Sequence, residues 1–160
     1  MELTALGPTD PAVVASWATS AEENRRWCSR DRVTAQDVMR WGTEPGVLAY
    51  LALVDGEPAG YGELWLDDDE AEVELARLIV APALRGRGLG RRIVTLLTKL
   101  ARDHQPTVLM RVHPDNVPAL RCYTAAGFDP VPSDEASEWN RGQPVPYRWL
   151  RHRPAEAGPR

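Results

Sequence analysis

The sequence predicts a mixed α/β domain in which antiparallel hairpins come first and a strand-helix-strand-helix-strand unit follows. Two observations carry this reading. Val47 to Leu66 forms two β-prone arms around the turn signal Asp55-Gly56-Glu57-Pro58. Farther on, the apolar run Leu78-Ile79-Val80, ended by Pro82, leads into the clearest amphipathic helix of the chain, Gly90 to Arg102.

Taken in order, Glu2 to Leu6 reads as a short strand, broken by Gly7-Pro8-Thr9-Asp10-Pro11. Between Pro11 and Trp41 the apolar positions Val14, Trp17, Trp27, Val38 and Trp41 are interrupted by polar stretches, which predicts two short helices and a connecting loop. The hairpin Val47 to Leu66 comes next, then an acidic turn, Asp67 to Glu70, and a fourth strand over Glu72 to Val80. The helix Gly90 to Arg102 gathers Ile93, Leu96, Leu97 and Leu100 on one face. Thr107 to Val112 is a further strand, and Asn116 caps a helix through Ala126 that stops at Gly127. Phe128 returns to extended structure, Ser137-Glu138-Trp139-Asn140 reads as a loop, and Val145 to Leu150 reads as the last strand. Residues 1–150 are read as one domain and residues 151–160 as a flexible tail.

A chain of 160 residues is the right size for a single core. Its net charge of −4 argues against a non-specific nucleic-acid binder, which needs a basic face. No signal-peptide pattern and no apolar run of membrane-spanning length is present, so no membrane partner and a cytoplasmic location are expected. Cys28 and Cys122 are expected to be reduced thiols, and His104, His113 and His152 stand alone, so no metal is expected.

The functional signal lies in Leu84-Arg85-Gly86-Arg87-Gly88-Leu89-Gly90-Arg91-Arg92, which joins a strand to the first turn of a helix. Helix-terminal amides there lack intrahelical partners, glycines admit close approach, and arginines add charge, which suits a pyrophosphate. The Lys-Ser/Thr pair of a Walker loop is absent, and a dinucleotide fingerprint would need a glycine at position 91.

This segment resembles the GNAT superfamily of N-acetyltransferases, whose hallmark Arg/Gln-x-x-Gly-x-Gly/Ala is matched by Arg85, Gly88 and Gly90. A second family pattern, Asn-x-x-Ala-x-x-x-Tyr-x-x-x-Gly-Phe, is matched by Asn116, Ala119, Tyr123, Gly127 and Phe128. The resemblance spans about Val47 to Phe128. It implies a GNAT-like, mostly antiparallel twisted sheet of about six or seven strands, flanked by about four helices and splayed at the central strands.

It also implies acetyl-CoA as cosubstrate and a primary amine as acceptor, attacked directly in a ternary complex. Leu78, Ile79 and Val80 would offer main chain to the pantetheine arm, Arg85, Gly86, Arg87, Gly88, Leu89, Gly90 and Arg91 would hold the pyrophosphate, and Asn116 would contact the cofactor nearby. Tyr123 matches the tyrosine that protonates the departing thiolate in many family members; packing in the core is its competing role. An alkylammonium has a pKa of about 10, so a base is needed; the resemblance makes Glu74 the first candidate, eleven residues before Arg85 where several family members carry a catalytic glutamate, and a solvated acidic edge is its competing role. Glu72 and Glu63 remain alternatives, because strand register decides which face each side chain lines. The main-chain N–H of Val80 would stabilise the developing oxyanion.

The acidic run Asp67 to Glu74 is expected beside the acceptor, where it would favour a cationic amine, unless it is only an exposed turn. A small-molecule or peptide amine is the expected partner, with aminoglycoside, polyamine, amino acid and protein N-terminus all open. Most of the six tryptophans are expected in the core, and some, especially those of the early helices and of Ser137 to Asn140, are candidates for the acceptor-pocket wall or a homodimer contact. A non-catalytic CoA-binding module is the alternative reading.

Overall fold

Alternating apolar residues in the strands and 3.6-residue spacing in the helices divide the chain as follows, in a computed structural model that describes residues 1–154. The strands are β1 (Glu2–Thr4), β2 (Val47–Val54), β3 (Glu57–Asp67), β4 (Glu72–Val80), β5 (Thr107–Val112), β6 (Phe128–Pro130) and β7 (Arg148–His152). The helices are α1 (Asp10–Ala15), α2 (Ala21–Cys28), α3 (Ala35–Trp41), α4 (Leu89–His104), α5 (Val117–Ala125) and α6 (Ser133–Trp139). The strands form one sheet in the order β1-β2-β3-β4-β5-β7-β6, antiparallel throughout except at β4 and β5, which α4 connects as a parallel crossover.

Two irregularities in β4 create the site. Its pairing with β5 runs only from Glu72↔Thr107 to Glu74↔Leu109, after which the two strands part into a fork. On its other edge, Tyr61 pairs with Ile79 and Glu63 with Ala76, so Gly62 alone stands opposite Arg77 and Leu78. This β-bulge places Arg77 at φ 49°, in the left-handed region. It also reverses the side-chain parity. Val73 and Leu75 face α4, and beyond the bulge Leu78 and Val80 do so, while Ile79 joins the cluster on the opposite face.

The face toward α4 is closed by Ile93, Val94, Leu97 and Ala101 against Val73, Leu75, Val108 and Met110. The helix can come this close because β3 carries Gly60 and Gly62 beneath it. A Cβ at Gly60 would lie 2.3 Å from Ile93 Cδ1, and one at Gly62 would lie 2.7 Å from Leu97 Cδ1. On the other face Val14, Val38 and Trp41 of the early helices pack on Leu51 and Tyr61.

The order of elements agrees with the sequence reading, and three segments differ. Two early helices were expected and three form, because Ser20 caps α2 by accepting from the Glu23 amide and Thr34 forms a reciprocal box with Asp37 that starts α3. Helix α6 occupies much of the expected Ser137–Asn140 loop. The last strand begins at Arg148 and continues through Arg151 and His152, two residues assigned to the tail; they are held by pairing with Asp129 and Phe128. Residues 155–160 of that tail lie outside the described residues. Among the described residues no helix is long and apolar enough to cross a membrane.

Candidate active site

A cleft of about 630 Å³ opens where β4, the start of α4, α5 and α2 meet. Leu78, Ile79 and Val80 form its floor, on the β4 edge that β5 leaves unpaired. Its rim is the glycine loop. Gly86 and Gly88 sit at φ 75° and 76°, where nothing crowds an added Cβ, so the requirement for glycine is conformational. Gly88 is the N-cap of α4, and Leu89, Gly90 and Arg91, which have no preceding helical turn to bond, line the cleft beside it. Arg87 is exposed and outside the lining.

Arg85 lines the cleft but turns its guanidinium inward. Nε donates to the Val80 carbonyl at 3.1 Å, Nη2 to the Trp17 carbonyl at 2.9 Å and Nη1 to Glu23 at 3.1 Å. It therefore fastens the end of β4 to the α1–α2 segment. The Thr19 amide and the Arg85 charge together hold the Glu23 carboxyl below its ordinary range.

Asn116 caps α5, accepting from the Ala119 amide at 3.3 Å, and lines the inner end of the cleft. Tyr123, about two helical turns farther on, lines both this cleft and a smaller niche of about 40 Å³ that continues into the β4–β5 fork. Burial raises the Tyr123 phenol, so it stays protonated at neutral pH. Cys122 beside it is likewise raised by desolvation and remains a thiol.

The carboxylates behave differently from the sequence expectation. Glu74 points away from α4 and reaches neither cavity: its two oxygens accept from Arg111 Nε at 2.5 Å and Nη2 at 2.7 Å. Glu72 lines neither cavity either. Glu63 is fully buried, accepting from the Tyr61 hydroxyl at 2.5 Å, Trp65 Nε1 at 2.6 Å and Arg77 Nη1 at 3.0 Å. Desolvation raises its pKa against the opposing pull of Arg77. Tyr61 itself lines the cleft, so Glu63 is linked to it through one hydroxyl. The acidic turn Asp67 to Glu70 lies before the start of β4, and the cleft is at its end, roughly 26 Å away at about 3.3 Å per strand residue. The turn is thus far from the glycine-loop end of the cleft, because β4 runs away from it.

Sequence reasoning offered Trp27 among the tryptophans that could wall the pocket, and missed Glu23, Tyr61, Arg77 and Arg111. An arginine interrupting an apolar strand, as in Ala76-Arg77-Leu78 and Met110-Arg111-Val112, is the signal that pointed to two of them.

The model of the acetyltransferase (GNAT) family matches residues 13–128. The chain belongs to the GNAT acetyltransferase family. Among its relatives is an aminoglycoside N(6')-acetyltransferase type 1 of Klebsiella pneumoniae, 28% identical over 140 residues, covering 75% of this chain and 69% of that protein. A mycothiol acetyltransferase of Mycobacterium ulcerans is 36% identical over 92 residues, which cover 51% of this chain and 29% of that one. Among solved structures, an aminoglycoside acetyltransferase in complex with ribostamycin and coenzyme A superposes with a TM-score of 0.74 at 21% identity, over 94% of this chain and 91% of that one. The GNAT fold, an open mixed sheet split at β4 and β5, is thus shared along nearly the whole described chain.

Proposed function

We propose that this GNAT protein transfers the acetyl group of acetyl-CoA to a primary amine by direct attack in a ternary complex. The observation that carries the reading is Tyr123, which stands where the long cleft meets the niche in the strand fork. The residues fit the cosubstrate: a helix N-terminus with two left-handed glycines and Arg91 suits a pyrophosphate, and an unpaired strand edge suits the amide-bearing pantetheine arm. The relatives named for aminoglycoside and mycothiol acetylation support an amine acceptor.

Bound acetyl-CoA supplies an activated carbonyl and a sulfur leaving group. As the amine nitrogen bonds to that carbonyl carbon and the carbon–sulfur bond breaks, the nitrogen gives up a proton and the sulfur gains one. Tyr123 is the donor to sulfur, since its raised phenol carries the proton to be given. The amine proton passes to the Tyr61 oxygen while the Tyr61 hydroxyl proton passes to Glu63, the carboxylate whose burial raises its basicity. The Val80 N–H is the proposed donor to the oxyanion. Cys122 and Cys28 are both held as thiols by desolvation, Cys28 up to about 11, which favours direct transfer over an acetyl-cysteine relay.

The test is initial-rate kinetics with acetyl-CoA and a panel of amines, following CoA thiol release. Intersecting double-reciprocal lines are expected. Parallel lines, or a stable acetyl-protein without amine, would count against direct attack.

A further inference from the structure

The niche in the fork differs in character from the cleft it joins. Arg77 from β4 and Arg111 from β5 stand on either side of it, both on the sheet face away from α4, with Arg26 adding a third guanidinium and His113 an imidazole to its wall. No carboxylate lines it.

Both strand arginines are fixed in place. Arg77 lies 4.2 Å from the Trp41 ring centre and 4.8 Å from that of Trp65; Arg111 lies 5.5 Å from Trp65 and 4.8 Å from Trp149. Their counter-ions, Glu63 and Glu74, bind them from outside the niche lining. Donors remain. Arg77 uses only Nη1 on carboxylates, which leaves Nε and Nη2 without a partner among the described residues. Arg111 Nη1 reaches only Gln143, at 3.4 Å, a long contact for a hydrogen bond.

From this geometry we infer that the acceptor is an amine carrying a carboxylate close to its nitrogen, an amino acid or short peptide, with Arg77 and Arg111 receiving the carboxylate. The inference rests on the acetyl-transfer reading and narrows its acceptor. Planar guanidiniums match a carboxylate in shape and charge, and a preorganised pair loses little freedom on binding it. Size agrees. A niche of about 40 Å³ admits a group of a few atoms, since one water needs roughly 10–15 Å³ by the same measure. Polycations meet the reverse situation: guanidiniums face them and no carboxylate lines the niche.

The experiment compares the common amino acids and a set of dipeptides with their carboxamides, alongside spermidine and kanamycin, in acetyl-CoA-dependent thiol release. The acid form should exceed its amide in kcat/KM by roughly 10-fold or more, as loss of a charge-assisted bidentate contact implies. That acid-to-amide ratio should fall toward one in Arg111→Gln or Arg77→Gln, and being internal to each protein it tolerates partial loss of folded enzyme. Equal or faster use of amides, spermidine or kanamycin would overturn the inference. So would a ratio unchanged in both variants, or rejection of every amino acid and dipeptide by protein that binds acetyl-CoA calorimetrically. In those cases the transferase reading survives; failure to bind acetyl-CoA would remove both.

Discussion

The indole N–H of Trp27 donates to the carbonyl oxygen of Arg77 at 2.8 Å, joining α2 to the β4 bulge across 50 residues of sequence. A residue in the left-handed region turns its carbonyl out of the strand ladder, and Trp27 supplies the partner that the ladder cannot. The same ring stands edge-on to Trp41 at 5.6 Å, and Trp41 in turn stacks on the Arg77 guanidinium.

Trp27→Phe keeps most of the ring and removes the donor. Leaving that carbonyl unpaired should destabilise the fold by about 1–3 kcal/mol, read as a lower denaturant midpoint at unchanged slope. Because Trp27 lines both cavities, KM should also rise. Unchanged stability would mean that water replaces the indole at the bulge.

Tyr123→Phe tests the acid. Proton transfer by a positioned side chain contributes about 10²–10⁴-fold, so kcat should fall by at least about 10²-fold. Acetyl-CoA affinity by calorimetry should stay close to that of the parent, since the phenol makes no hydrogen bond within the described residues whose loss would rearrange α5. A parent-like kcat would assign Tyr123 to packing.

Glu63 and Glu74 separate in pH behaviour. A base must be ionised, and Glu63 is raised by desolvation, so kcat/KM should climb as pH rises through that raised value. Glu63→Gln should remove this limb and lower the rate, and Tyr61→Phe should do the same by cutting the link. Stability has the opposite sign: the folded state binds this proton more tightly than the unfolded chain, so stability from the protonated form is lost as pH rises. Glu74→Gln releases Arg111 and should leave the limb in place while raising the acceptor KM. A limb lost in Glu74→Gln and kept in Glu63→Gln would return the base to Glu74.

These contrasts show where the sequence was legible. The glycine loop was, because left-handed backbone at Gly86 and Gly88 restricts residue type, and so was α5, whose start and stop are written by Asn116 and Gly127. The side-chain direction of the carboxylates was not. Alternation places Glu72 and Glu74 on one face and Glu63 on its own strand, but which of them meets a cavity depends on arginines drawn from β4 and β5 and on a bulge opposite Gly62. A bulge changes parity without changing composition. The early helices were blurred for a related reason: Ser20 and Thr34 act as caps through hydrogen bonds to residues three positions on, a local signal weaker than apolar periodicity.

Gly60→Ala probes the contact that seats α4. The added methyl would begin 2.3 Å from Ile93 Cδ1 and 3.2 Å from the Ile79 carbonyl, so side chain and strand must both shift. Overpacking of this kind costs about 1–3 kcal/mol. Gly86→Ala meets no atom and should be destabilised only by its φ of 75°, by about 1–2 kcal/mol. Pairing Gly60→Ala with Ile93→Val should recover part of the first loss and none of the second, as measured by denaturant unfolding. No recovery would place the strain in the Ile79 backbone.

His152, on β7 opposite Phe128 of the edge strand β6, gives the fold an acid sensitivity. Its ring packs edge-on against Phe128 at 4.9 Å, and its Nδ1 lies 2.8 Å from Arg102 Nη2, which requires the neutral ring to accept. Desolvation first and the Arg102 charge second hold its pKa below the ordinary histidine value. The unfolded chain therefore binds this proton more readily than the folded one, so stability falls as pH drops from about 6.5 through the lowered value. Denaturant midpoints taken between pH 8 and pH 5 should decline over that window, and His152→Gln, which can still accept from Arg102, should flatten the decline at some loss of packing against Phe128. A parent-like decline in the variant would assign the acid sensitivity to a group other than His152; it would not be Glu23 or Asp37, whose lowered pKa values make stability fall only at more acidic pH than this window.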